Sequence, residues 1–132
     1  MNKLKAEISD IRTEGDLSLV TLRSHGQSFS SLIISQQEEY IRIGNQVYMV
    51  FKETEVSIAK GLTGGLSIRN RFASVIDHIE KGMLLSEIRL NFKGALISSV
   101  ITTSSCEALN LSVGNEVEGL LKTTELFIMK YE

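Results

Sequence analysis

Few side chains in this sequence have the types and spacing that catalysis requires. His25 and His78 stand among polar neighbours without partners of a catalytic set, and both are predicted to face solvent. Cys106 is the single cysteine, so we expect no intrachain disulfide or zinc site and a small, partly buried side chain. The glycine-rich run at 61–65 lacks the Lys-Ser/Thr pair of a phosphate-binding loop. The sequence therefore predicts a binding protein and not an enzyme.

Composition and charge restrict the partners further. Hydrophobic residues make up 42% and charged residues 23%, which is typical of a folded soluble protein. The apolar stretches are far shorter than the ~20 residues of a membrane span, and the N-terminus lacks the apolar core of a signal peptide, so we expect a cytoplasmic protein with no membrane partner. A net charge of −2 and a pI near 5.7 argue against a nucleic-acid partner.

The elements that position any site come from an internal repeat. Asn2 aligns with Asn70, and the same shift aligns Gly26 with Gly94. After a two-residue insertion, Gly44 aligns with Gly114. We therefore divide the chain into a first unit at 1–60, a Gly-rich linker at 61–65 and a second unit at 66–132. The short linker predicts that the two units pack together.

Each unit is predicted to form five short strands, with one small helix between the third and fourth strands. The predicted strands are Lys5–Arg12, Leu17–Arg23, Ser28–Ser35, Val47–Lys52 and Val56–Lys60, then Phe72–Ile79, Leu84–Phe92, Leu96–Thr103, Val117–Thr123 and Leu126–Lys130. The predicted helices lie near Gln36–Tyr40 and from a Ser105 cap through Leu109. This order favours an all-β fold of two tandem OB-like five-stranded barrels.

Two segments of the second unit resemble the signatures of a known family. Leu66-Ser-Ile-Arg-Asn70 is similar to the Leu-Ser-Ala-Arg-Asn start of the Mop-type (TOBE) molybdate-binding domain, with Ile68 in place of the usual Ala. Leu120-Leu-Lys-Thr-Thr124 is similar to the second signature, a Lys followed by a small residue. The resemblance covers 66–132 and, more weakly, 1–60. It implies an oxyanion ligand, molybdate or tungstate.

The resemblance also implies which groups hold the oxyanion. Ser67 and Thr123 would contribute hydroxyls, Ile68 and Arg69 main-chain N–H groups, and Lys122 a charge. Molybdate and tungstate accept hydrogen bonds and donate none, so fixed donors and a cation suit them, and charge-assisted bonds are the stronger ones. The alternatives are that 67–70 is only a junction between linker and strand, and that Lys122 is only a solvated lysine.

The first unit departs from this pattern. Lys52 is the repeat mate of Lys122, and we include it among the candidate oxyanion ligands. Glu53 follows it where the second unit has Thr123, and a carboxylate beside a dianion is repulsive. Met1 stands where the second unit has Arg69, so the start signature is missing. We therefore expect fewer oxyanion sites than two complete signatures would form.

The function predicted from these observations is cytoplasmic binding of molybdate or tungstate for storage, buffering or homeostasis. The resemblance implies a homo-oligomer, a trimer rather than a dimer. One alternative is an anion-sensing subunit of a molybdate transport or regulatory system. Another is an OB-fold module that binds nucleic acid or protein, which would need a basic groove with stacking aromatics. Each unit carries fewer Lys and Arg than Asp and Glu, and aromatic residues are only 6%.

Overall fold

The computed structural model describes residues 1–34 and 38–132, and within these ranges the chain is almost entirely β. The strands are β1 (Asn2–Glu14), β2 (Leu17–Ser24), β3 (Gln27–Ile34), β4 (Gln46–Phe51), β5 (Ser57–Ala59), β6 (Asn70–Lys81), β7 (Leu85–Phe92), β8 (Ala95–Thr102), β9 (Glu116–Leu121) and β10 (Phe127–Lys130). A single described α-helix, α1, spans Thr103–Ala108, and 3₁₀ turns span Glu53–Glu55 and Thr123–Glu125.

Strict alternation of side chains explains why these segments form half-buried strands. In β7, every second residue from Ser86 to Phe92 is buried, and the residues between them are exposed. The hairpins that follow β2 and β7 close with two-residue turns, His25-Gly26 and Lys93-Gly94. All four turn residues have positive φ, which is the type I′ conformation that suits the twist of a hairpin.

The strands form two five-stranded sheets, and each sheet takes one strand from the other repeat. The first sheet has the order β10-β4-β1-β2-β3 and the second has the order β5-β9-β6-β7-β8. Accordingly, one compact unit comprises 1–51 with 122–132, and the other comprises 52–121. We call them unit 1 and unit 2, and from here on we call the sequence copies 1–60 and 66–132 the first and second repeats. The folding units therefore differ from the sequence repeats, because the last strand of each repeat belongs to the other repeat's sheet.

The all-β fold with two five-stranded sheets confirms the predicted fold class. The predicted strand bounds were wrong near two sites. Thr123 lies in a 3₁₀ turn and not in a strand, and the helix starts at Thr103 with Thr102 as its cap, because the Thr102 side chain accepts the Ser105 N–H at 3.1 Å. The helix predicted near Gln36–Tyr40 begins at residues that lie outside the described ones, and its last two residues form a turn.

Buried serine hydroxyls hold both exchanged segments. Ser99 on β8 donates to the carbonyl oxygen of Val56, just before β5, at 2.6 Å. Its repeat mate Ser31 on β3 donates to the carbonyl oxygen of Leu126, just before β10, at 2.6 Å. Both serines are essentially inaccessible, with 0% and 1% exposure. Because each bond is buried, losing its hydroxyl would leave a carbonyl without a donor, so each bond stabilises the docking of the exchanged segment.

Substitution Ser99→Ala is expected to lower the free energy of unfolding by about 1–3 kcal/mol, since it leaves the buried Val56 carbonyl without its donor. Urea unfolding followed by circular dichroism measures the change. The control is Ser57→Ala, because Ser57 is exposed on the same exchanged segment and should change stability by less than about 0.5 kcal/mol. An equal cost for both variants would show that the buried bond does not stabilise the exchange.

Candidate functional site

The first signature segment, 67–69, lies between the linker and β6. Ser67 and Arg69 are exposed and Ile68 is half-buried. Within the described part of the chain, the backbone N–H groups of 67–69 make no hydrogen bond, and neither do the Ser67 hydroxyl or the Arg69 guanidinium. The segment therefore presents several donors that no intramolecular acceptor occupies.

Strand β6 fixes the end of this segment. Asn70, its first residue, has 1% exposure, as expected for a polar side chain held in the sheet. It is the register partner of Leu121, the last residue of β9. Because β6 and β9 are antiparallel, the chain enters β6 and leaves β9 at the same end of the pair. The segment 67–69 therefore ends beside the residue that precedes Lys122.

The second signature begins where β9 ends. Lys122 is exposed, has extended backbone (φ −67°, ψ 148°) and stands at the start of the 3₁₀ turn, where its carbonyl accepts the Glu125 N–H at 3.0 Å. Leu121 and Leu126, on either side of this turn, each have 1% exposure. These buried anchors hold the backbone, while no described group pairs with the Lys122 ammonium or the Thr123 hydroxyl.

Lys52 occupies the matching place after β4. It is exposed, starts the first 3₁₀ turn, and follows Phe51, the register partner of Asn2. Glu53, the next residue, is half-buried in that turn. The first position of the 3₁₀ turn therefore carries a carboxylate in the first repeat, at Glu53, and a hydroxyl in the second, at Thr123.

The strand exchange distributes the predicted residues over the two units. Ser67, Ile68, Arg69 and Lys52 belong to unit 2, and Lys122 and Thr123 belong to unit 1. Both lysines stand where the chain passes from one unit into the other, directly after Phe51 and directly after Leu121. Sequence reasoning missed this arrangement, because the repeat gives no signal of which sheet the last strand of each copy joins.

Among the described residues, the histidines and the cysteine form no second centre. His25 and His78 are exposed, as predicted, and Cys106 has 1% exposure, which makes it fully and not partly buried. Across the described ranges, no three His, Cys, Asp or Glu side chains are grouped as a metal site would require. Within the same ranges, no helix has the length and apolar character needed to cross a membrane.

Comparisons with known proteins find a domain family and several relatives that match this chain. The TOBE domain model matches residues 66–128. The molybdenum transport protein ModE of Herbaspirillum seropedicae is 27% identical over 90 residues, which are 67% of this chain and 34% of that protein. The molybdenum-pterin-binding protein MopB of Rhodobacter capsulatus is 32% identical over 108 residues, 78% of this chain and 40% of that protein. The chain thus spans well under half the length of these relatives.

Solved structures extend the likeness to the fold. The cytoplasmic molybdate-binding protein ModG, in a form with molybdate bound, superposes with a TM-score of 0.91 over 98% of this chain and 96% of its own, at 20% identity. A molybdate-binding protein from Sporomusa ovata is 31% identical and matches 51% of this chain and 100% of its own, with a TM-score of 0.50. The chain therefore belongs to the TOBE domain family.

Proposed function

We propose that this protein binds molybdate or tungstate in the cytoplasm and stores or buffers the anion without turning it over. The observation that carries the proposal is that the donors at 67–69 bind no acceptor in the described part of the chain. They lie beside the end of β9, and Lys122 is the next residue after that strand. The relatives named as molybdate-binding proteins support the same ligand. The repeats 1–60 and 66–132, joined at 61–65, are proposed as two Mop-type copies.

Each proposed ligand group has a role that follows from its chemistry. Ser67 and Thr123 donate hydroxyl hydrogen bonds, Ile68 and Arg69 donate main-chain N–H bonds, and Lys122 adds positive charge. A dianion with four acceptor oxygens needs donors and no acid, and hydrogen bonds that involve a charged group are about twice as strong as neutral ones. Donors on short, backbone-held segments lose little entropy on binding.

Lys52 is proposed as a weaker contributor. It has the backbone position of Lys122, but the next residue is Glu53, whose carboxylate is hydrogen-bonded to the N-terminal ammonium and offers an anion no donor where Thr123 offers a hydroxyl. The first repeat has Met1 where the second has Arg69, so it lacks the Ser-x-Arg donors. Binding is therefore concentrated at the groups of the second repeat, 66–132.

Isothermal titration calorimetry with molybdate, tungstate and sulfate tests the function. We expect binding of molybdate or tungstate and at least tenfold weaker binding of sulfate, because the smaller ion leaves part of a fixed donor set unengaged, and a lost hydrogen bond of about 1–1.5 kcal/mol corresponds to roughly tenfold in affinity. Sulfate affinity equal to that of molybdate would refute the proposed selectivity. Absence of binding for all three anions would refute the function.

We further propose a homo-oligomer, with a trimer favoured over a dimer. Each compact unit has only about 60–70 residues, a size at which a single core is marginal, and a closed symmetric assembly adds buried area. Light scattering coupled to gel filtration, with and without molybdate, should give a mass that is a multiple of the 14.6 kDa chain. A monomeric mass under both conditions would count against this part of the proposal.

A further inference from the structure

The turn that carries Lys122 and Thr123 is tied to unit 1 at a buried point just before β10. There the Ser31 hydroxyl on β3 donates to the carbonyl oxygen of Leu126 at 2.6 Å, and both residues have 1% exposure. Within the turn, the Lys122 carbonyl accepts the Glu125 N–H at 3.0 Å. Because Glu125 and Leu126 are neighbours in the chain, a bond that fixes Leu126 also fixes the turn on which the proposed donors stand.

Strand β10, which follows Leu126, adds little burial of its own. It comprises Phe127–Lys130, lies at an edge of the first sheet and pairs there with β4, and none of its residues is buried. The Tyr40 hydroxyl donates to the Ile128 carbonyl over a long 3.4 Å. A short edge strand with few buried side chains opens at a low free energy. The docking of the segment 122–130 therefore depends strongly on Leu126 and on the hydroxyl that holds it.

Unit 2 contains the same bond at a turn with fewer donors. Ser99 donates to the carbonyl oxygen of Val56 at 2.6 Å, at the matching place after the first 3₁₀ turn, and it is as deeply buried as Ser31. That turn begins with Glu53, whose carboxylate offers an anion no donor, whereas the second turn begins with the hydroxyl of Thr123. Two bonds of equal length and similar burial thus hold two turns that differ in what they offer an anion.

We propose that Ser31 is a positioning residue for the oxyanion site, because it fixes the turn from which Lys122 and Thr123 reach the anion. The inference rests on the proposed function and adds a residue outside both signature segments. The single hydroxyl proton of Ser31 is donated to Leu126, so Ser31 is not a ligand itself. If only chains with a docked segment bind, the apparent Kd equals the intrinsic Kd divided by the docked fraction. By linkage, the bound anion favours docking in return.

Calorimetric titration of full-length Ser31→Ala with molybdate is the first test, and Ser99→Ala is its matched control. Losing a buried hydrogen bond typically shifts an equilibrium by about fivefold to more than a hundredfold, so enough Ser31→Ala chains should undock to raise the Kd by at least about threefold. Ser99→Ala should raise it by less than about twofold, because the turn that it loosens carries Glu53 in place of a hydroxyl donor. Both variants should lose similar stability to urea, so a merely structural role would raise the two Kd values equally.

Hydrogen exchange of the wild-type chain, measured by mass spectrometry, is the second test and needs no variant. At a free molybdate concentration of about 100 times the Kd, exchange in β10 should slow by about tenfold to 100-fold, because the anion binds only chains in which this strand is docked. Exchange in β5, the matching strand after Lys52, should slow by less than about threefold, since its opening leaves the turn of Lys122 in place.

Equal Kd values for the two alanine variants at equal loss of stability would overturn the positioning role and leave anion binding intact. Equal slowing of exchange in β5 and β10 would overturn it as well, since the anion would then stabilise the fold as a whole. If Ser31→Ala does not fold, the exchange measurement decides alone. A wild-type chain that binds no molybdate would refute the proposed function, and the role of Ser31 would be refuted with it.

Discussion

Substitution Lys122→Ala is expected to weaken molybdate binding by about ten- to more than a hundredfold. A hydrogen bond to a charged group contributes about 1.5–3 kcal/mol, and about 1.4 kcal/mol corresponds to tenfold in affinity. Lys122 is exposed and its side chain makes no hydrogen bond or ion pair with a described residue, so its removal should leave the unfolding free energy nearly unchanged. Calorimetric titration with molybdate, together with a thermal melt of each variant, measures both quantities.

The matched control is Lys52→Ala, since Lys52 has the same backbone setting after β4 and the same exposure. It should weaken binding less, because Glu53 offers no donor where Thr123 offers a hydroxyl and the Ser-x-Arg start is absent from the first repeat. If Lys52→Ala abolished binding while Lys122→Ala retained it, the working lysine would lie in the first repeat. Equal, small losses for both would mean that long-range charge and not a ligand contact was being measured.

Much of the fold followed from the sequence because period-two alternation and glycine turns are local signals. The repeat and the Gly26 and Gly94 turns located both five-stranded sheets. The strand exchange could not be predicted from the sequence, because either sheet can supply the same hydrogen bonds to a short terminal strand. Buried Ser31 and Ser99 hold the exchanged segments in the structure, but each would offer the same hydrogen bond to the matching segment of its own repeat, so they give no signal in the sequence.

For the candidate site, the sequence indicated which residues to consider but not their backbone setting. Lys122 and Thr123 were placed in a strand, whereas Lys122 starts a 3₁₀ turn at the point where the chain changes units. The chain leaves β9 and turns after Leu121 because Leu121 and Leu126 are both buried. Their burial depends on tertiary contacts that a sequence pattern does not specify. The assignment of ligands remains the proposal that the lysine variants test.

Substitution Gly119→Met is expected to be among the most destabilising single changes in unit 2. A Cβ atom at Gly119 would lie 2.0 Å from Cε2 of Phe72, whose side chain has 0% exposure and contacts the Phe92 ring edge-on at a centroid distance of 5.7 Å. The two residues are register partners on β6 and β9. Overpacking of a tight core typically costs about 1–3 kcal/mol, and here the ring has little room to yield, so we expect the upper end.

The first repeat shows how this clash can be relieved. Its register partners at the same place are Leu4 and Met49, both buried, so a smaller side chain on the first strand accompanies a larger one on the fourth. The double variant Phe72→Leu with Gly119→Met should therefore recover at least about 1 kcal/mol relative to Gly119→Met alone, since contacting residues couple by 0.5–3 kcal/mol. Urea unfolding of both single variants and the double variant measures the coupling. Additive losses in the double variant would show that the ring of Phe72 is not what requires glycine at 119.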